Sequence, residues 1–299
     1  MKDEKRKQLF RLLGDLPDQR PISAEALCIE KREGHIIETL LLDLNGYEKV
    51  PAYFVKPESA EGPCPAVLFQ HSHGGRYDRG KNELIEGADY LKAPSYAHEL
   101  TSLGYSILSI DHWGFGDRRG KAESEIFKEM LLTGRVMWGM MIYDSLRALD
   151  YLQSRPDVLS DRIGTIGMSM GGLMAWWTAA LDDRIKVCVD LCSQVDHHVL
   201  IKTQNLDRHG FYYYVPSLAK HFSASEIQSL ITPRPHLSLV GEHDRLTPAE
   251  GVGKIEKELT AVYAGQGASE CYQVVRSTSG HFETAVMRHA AVQFLQKWL

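Results

Sequence analysis

The sequence predicts an α/β domain on a mostly parallel central sheet, with antiparallel strands at its N-terminal side and helices on both faces. Three observations carry this. Short β-rich runs alternate with longer helical patterns from about residue 35 onward. Runs such as Ala66-Val67-Leu68-Phe69 are uninterruptedly apolar, as strands buried on both faces are. The two earliest runs meet at Asn45-Gly46, a hairpin signal that makes the start antiparallel.

The chain opens with MKDEKRKQLFRLLGDL, charged and helix-like, and residues 1–34 are expected to form an N-terminal helical extension. The stretch has no apolar core followed by a small-residue cleavage site, so a secretory signal is not expected. HIIETLLLDL and EKVPAYFVKP are the hairpin strands. PAVLFQHS is the next strand, SYAHELTSLG a helix, YSILSIDH a strand, and VMWGMMIYDSLRALDYLQ a long helix with Trp138, Ile142, Leu146 and Leu149 on one face. DRIGTIGMS is a strand, Gly171 to Leu181 a helix, and IKVCVDLC, PHLSLVGEHD and ECYQVVRST are further strands. The last helix carries Phe282, Val286, Ala290, Phe294 and Trp298 at four-residue spacing, read as a core-facing stripe. Residues 1–299 are one domain, with a cap-like insertion at about 193–235 that contains GFYYYVP. A second long connection runs from about Gly74 to Pro94, and such insertions usually serve binding.

Composition narrows the class. The chain is 43% hydrophobic and 24% charged, without an apolar run long enough to span a bilayer. A net charge of -5 gives no reason to expect nucleic acid, whose phosphates demand a basic surface. Five scattered cysteines without a CxxC pair fit a reduced, cytoplasmic protein. A homo-oligomer is left open.

The stretch that carries chemistry is DRIGTIGMSMGGLMAWWTAA. Gly167-Met168-Ser169-Met170-Gly171 is a G-x-S-x-G between a strand and a helix. A serine on so tight a turn needs small flanking residues, and the turn pushes its Oγ out at the carboxyl end of the sheet. A serine hydroxyl is a weak nucleophile at neutral pH, so it needs a base, and the base needs an orienting acid. Asp244, in the loop after HLSLV, is the leading acid; Glu242, Asp190 and Asp196 are rivals. His281, in STSGHFETAV after the last strand, is the base.

With GMSMGG, GEHDRLTP and SGHFE in this order, the chain resembles the serine α/β-hydrolases. It is closer to a bacterial branch described as dienelactone hydrolase-like or acetyl xylan esterase-like, on HSHGG, DHWGFGDRRG and PRPHLSLVGEHD. The resemblance covers nearly the whole chain after residue 35. It implies an α/β-hydrolase fold, a carboxylic ester as small-molecule substrate, and no cofactor. Dienelactone hydrolases proper use a cysteine nucleophile, and Ser169 departs from them. The resemblance also places the backbone N–H of Gly75 in an oxyanion hole, with Gly74 or Arg76 if the register differs; the second donor is Met170 N–H. Trp113 and Tyr213 are expected to line the substrate pocket.

Other readings are compatible with the same residues. A thioesterase or peptidase could use the same triad. His71 and His73 could begin a metal site, with His112 and His197-His198 as possible neighbours, but no Asp-His follows to complete a binuclear motif, and no metal is expected. A catalytically silent hydrolase fold could serve as a binding module, though such proteins usually lack a triad member. The cap tyrosines, with rings to bury and hydroxyls to bond, would suit a wall selecting acetyl-type acyl groups.

Overall fold

The computed structural model describes residues 2–299. Its nine strands are β1 (Ser23–Arg32), β2 (His35–Asp43), β3 (Val50–Pro57), β4 (Cys64–Gln70), β5 (Ser106–Ile110), β6 (Val158–Met168), β7 (Ile185–Leu191), β8 (His236–Gly241) and β9 (Tyr272–Ser277). They form one sheet in the order β1-β2-β3-β5-β4-β6-β7-β8-β9. The pairs β1/β2, β2/β3 and β3/β5 are antiparallel, and all others are parallel. The expected hairpin forms between β2 and β3, where Asn45 Oδ1 accepts from the N–H groups of Tyr47 and Glu48 and so closes the turn.

Successive residues of the central strands serve opposite cores, which is why those strands read as continuous apolar runs. Ala66 and Leu68 of β4 join Leu9, Trp138 and Trp177 on one face; Val67 and Phe69 join Tyr96, Leu100 and Phe294 on the other. The first face is covered by helices Lys2–Leu12, Met137–Ser154 and Met170–Leu181, and the second by Tyr96–Ser102 and Ala285–Trp298. No described helix is long and apolar enough to cross a membrane.

Two expectations need correction. The segment 1–34 is not a helical extension throughout: helix Lys2–Leu12 is followed by β1, paired to β2. Every residue of β1 is exposed, so it is held by backbone pairing and surface contacts such as the Lys31–Glu58 ion pair, and no buried face marks it in the sequence. The stripe on the last helix is also out of phase. Phe282 and Val286 are exposed, whereas Met287, Ala291, Phe294 and Leu295 are buried. At ~100° per residue, a strict four-residue spacing drifts ~40° per step and winds off the buried face.

Candidate active site

The carboxyl ends of β4, β6, β7, β8 and β9 lie together, and the segments leaving them carry the residues singled out above. Ser169 follows β6 directly at φ 55°, ψ -119°, a conformation that is strained for a side-chain-bearing residue. Its N–H donates to Leu191 O (2.8 Å) and its carbonyl accepts from Leu173 N–H (2.9 Å), which locks the turn between β7 and the new helix. The flanking glycines are steric necessities. A Cβ on Gly171 would lie 1.9 Å from Gln70 O, and one on Gly167 would lie 2.4 Å from the Gly171 backbone.

Ser169 Oγ lies 2.8 Å from His281 Nε2, and His281 Nδ1 lies 2.7 Å from Asp244 Oδ2. Asp244 Oδ1 accepts from Leu246 N–H at 2.8 Å. Burial alone would raise the Asp244 pKa. The hydrogen bond from His281, the imidazole's charge and the Leu246 N–H together hold it below the ordinary carboxylate value. Because Asp244 accepts at Nδ1, that nitrogen carries the proton, leaving the Nε2 lone pair for the serine hydroxyl.

The rival acids are engaged elsewhere. Asp190 accepts from Ser193, Gln194 and Ser238 and lies 2.8 Å from His236. Asp196 caps helix His197–Lys202 through Val199 N–H and pairs with Lys254. Glu242 accepts from Thr278 Oγ1. Cys192 lies beside the triad: its sulfur and ligand atoms of Asp244 and His281 all fall within 4.8 Å of one another. Burial, then the Asp244 charge, pushes its thiol up to about 12, so it is un-ionised at neutral pH and is no substitute nucleophile. A cation on these three groups would have to break the Ser169–His281–Asp244 chain, since both imidazole nitrogens already belong to it.

The HSHGG loop follows β4. His71 Nδ1 donates to Ser72 O (2.8 Å), so its Nε2 is free to accept from His112 N–H (3.1 Å). His73 Nδ1 accepts from Gly75 N–H (3.0 Å), and its Nε2 donates to Tyr212 Oη (3.0 Å). Burial, followed by the neighbouring His71 and His281, lowers His73 to about 4, so it is neutral at physiological pH. Both imidazoles thus have both nitrogens engaged, two within the loop and two with His112 N–H and the Tyr212 hydroxyl, an arrangement that braces the loop and leaves no lone pair free for a metal. Chelators such as EDTA are accordingly expected to leave activity unchanged; loss of activity restored by added zinc or manganese would reinstate the metal reading.

Three expected positions change. Gly75 N–H is occupied by His73 Nδ1, so it is not available to an oxyanion; the N–H groups of His73 and Gly74, beside it, have no acceptor among the described residues. Met170 N–H, on the first residue of helix Met170–Leu181, is likewise without an acceptor there. Tyr213 is fully buried, its ring 4.7 Å from His197 and 5.1 Å from Trp138, and it belongs to the core. Its neighbour Tyr212 reaches the site loop, through His73. Trp113 lines a separate cavity of about 390 Å³ with Tyr47, Arg118, Ile126, Met130 and others, but with no member of the triad. The guanidinium of Arg118 stacks 4.4 Å above its ring.

The sequence profile of the dienelactone hydrolase family matches residues 50–266, well over half of the chain. The match includes Ser169 and Asp244 and ends before His281. The "Putative hydrolase YtaP" of Bacillus subtilis (strain 168) is 86% identical over 299 residues, the whole of both chains. Among solved structures, a glucuronoyl esterase from Solibacter usitatus superposes with a TM-score of 0.70 at 16% identity, over 98% of this chain and 92% of that one. An acetyl xylan esterase from Paenibacillus sp. R4 superposes with a TM-score of 0.65 at 19% identity, over 99% and 93%. Those two structures share the fold. By the extent of the profile match and the near-identical relative, this chain is an enzyme of the hydrolase class and belongs to the dienelactone hydrolase family.

Proposed function

We propose that the protein is a serine hydrolase that cleaves a carboxylic ester of a small acyl group. The observation that carries this is the unbroken hydrogen-bond chain Ser169–His281–Asp244 at the carboxyl edge of the sheet. Ser169 Oγ attacks the acyl carbon while His281 Nε2 takes its proton. Asp244 holds the imidazole in the reactive tautomer and balances the imidazolium. The tetrahedral oxyanion is met by Met170 N–H and by an N–H of the His73–Gly74 turn. His281 then returns its proton to the leaving alcohol. Water, deprotonated by the same nitrogen, hydrolyses the acyl-enzyme and frees Ser169. His281 Nε2 relays every proton, from Ser169 to the leaving alcohol and then from water back to Ser169, so no step calls for a cofactor.

The small acyl group follows from the cap. Tyr212, itself buried, accepts from His73 Nε2, and Phe115 and Tyr77 pack around the same imidazole; this aromatic wall beside the loop supports a short acyl chain. Five unpaired cysteines, three of them buried, suit the reducing cytoplasm that we assign as its location. The test is covalent labelling of Ser169 by a fluorophosphonate, together with turnover of acetyl, butyryl and octanoyl p-nitrophenyl esters. We expect labelling, and acetyl turnover well above octanoyl. A protein that never labels is not a serine hydrolase, and equal acetyl and octanoyl rates would remove the acyl preference alone.

A further inference from the structure

The site loop is held from behind by a carboxylate that the triad does not use. Glu83, on the short helix Glu83–Glu86, is fully buried. Its Oε1 accepts from Ser72 N–H at 3.0 Å, and its Oε2 accepts from the Tyr90 hydroxyl. Tyr90 in turn backs the next part of the loop. Gly74 sits at φ 53°, and a Cβ there would lie 2.3 Å from Tyr90 Cε1, so ring and glycine backbone are in direct apposition. Ser72 is therefore held by a charged hydrogen bond and Gly74 by a ring fixed to the same carboxylate.

The clamp also reaches the base. Tyr90 O accepts from Glu283 N–H (2.8 Å), and Glu283 lies two residues after His281. The Glu283 carboxylate accepts from Lys92 N–H, the Tyr96 hydroxyl and Arg288. Glu83 has no such cation. Arg79 attracts it from a distance but donates to Gly87 O and faces Asp89 at 3.9 Å, so Glu83 has no ion-pair partner among the described residues. A buried carboxylate without a cation is costly, and a neutral side chain of the same shape would serve packing better. The two donors its charge strengthens are Ser72 N–H and the Tyr90 hydroxyl, and both support the same loop.

We propose that Glu83 is a positioning residue of the reaction: through Ser72 N–H and the Tyr90 ring, its carboxylate sets the His73–Gly74 turn so that its free N–H points at the developing oxyanion. This rests on the reading of Ser169 as nucleophile and of that turn as part of the oxyanion hole.

The pH dependence gives the proposal a signature. Burial, opposed by the Tyr90 and Ser72 hydrogen bonds and by Arg79 but reinforced by Glu283, raises Glu83 to about 7. Above that pH it is the acceptor just described. Below it the group is neutral, and its hold on Ser72 N–H weakens to that of an uncharged oxygen. Activity should therefore fall as pH drops through about 7 by an ionisation additional to that of the catalytic base.

The experiment is the pH profile of kcat and KM for p-nitrophenyl acetate between pH 5 and 9. Wild type, Glu83→Gln and Tyr90→Phe are compared, with circular dichroism as the folding control and fluorophosphonate labelling as the control on Ser169. Glu83→Gln keeps an acceptor for Ser72 N–H but no charge. We expect kcat to drop about tenfold with KM within about twofold, as for an interaction made in the transition state, and the additional ionisation to disappear. Tyr90→Phe removes a hydrogen bond that lowers the Glu83 pKa, so it should move the acid limb to higher pH. Glu83→Gln with wild-type kcat and an unchanged two-ionisation profile overturns the proposal. If Glu83→Gln does not fold, an acid limb of Tyr90→Phe that stays in place overturns it. Failure of wild type to label would instead overturn the underlying reading of Ser169.

Discussion

Ser169→Ala is expected to reduce kcat/KM for an acetyl ester by about a thousandfold or more and to abolish fluorophosphonate labelling, with the circular dichroism spectrum unchanged. The substitution removes one atom whose sole side-chain partner among the described residues is His281 Nε2. The His281–Asp244 bond does not depend on it, and the backbone bonds that fix the turn, Ser169 N–H to Leu191 O and Leu173 N–H to Ser169 O, are indifferent to the side chain. Alanine tolerates the turn no worse than serine. What remains is whatever the oxyanion donors and substrate binding contribute to attack by water. A variant that retained half of wild-type turnover would remove Ser169 from the mechanism.

Asp244→Asn should cost about ten-thousandfold in kcat while the protein still folds. The amide has one oxygen and one NH2 where the carboxylate has two acceptors. If the oxygen faces Leu246 N–H, the NH2 group faces His281 Nδ1, and the imidazole must place its proton on Nε2. That proton then points at Ser169 Oγ, and the base is lost. The reverse orientation sets the NH2 group against Leu246 N–H, two donors 2.8 Å apart. Asp190→Asn is the informative contrast. Asp190 is bonded to His236, Ser193, Gln194 and Ser238 and not to His281, so its loss should lower the melting temperature and leave activity per folded molecule near wild type. The opposite pattern, with Asp190 the sensitive position for turnover, would move the acid to the carboxyl end of β7.

Much of this is legible in the sequence. The order of Ser169, Asp244 and His281, each just past a strand-like run, is a one-dimensional trace of a parallel sheet whose carboxyl ends converge. What escaped was decided by direction in space. Tyr212 and Tyr213 are adjacent in a 3-10 turn, where successive side chains point ~120° apart. One therefore reaches His73 while the other enters the core, and nothing in GFYYYVP says which. Gly75 was displaced by a bond within its own loop, to the imidazole two residues back, which no spacing rule reveals. Trp113 follows β5 at the same end of the sheet as Ser169 but turns toward Arg118 and another cavity. Glu83 sits in KNELIEG, where an acid reads as surface, and only the fold shows that its carboxylate has no water to face. The strand β1 escaped for the opposite reason, since it buries no side chain at all.

The dihedral angles of Ser169 have a consequence for how stability and activity can be traded in this chain. A side-chain-bearing residue in that region carries a penalty of roughly 1–3 kcal/mol, which is a sizeable part of the marginal stability of a folded domain. Glycine at 169 would relieve it, so the residue we propose as nucleophile is also one whose replacement would remove strain from the folded chain. Selection for thermal resilience alone would therefore drift toward an inert protein at this position, and engineering for robustness has to find its gains elsewhere. The exposed β1 edge and the charged N-terminal helix lie outside the segments that form the triad, and they are where such gains can be sought without touching the turn.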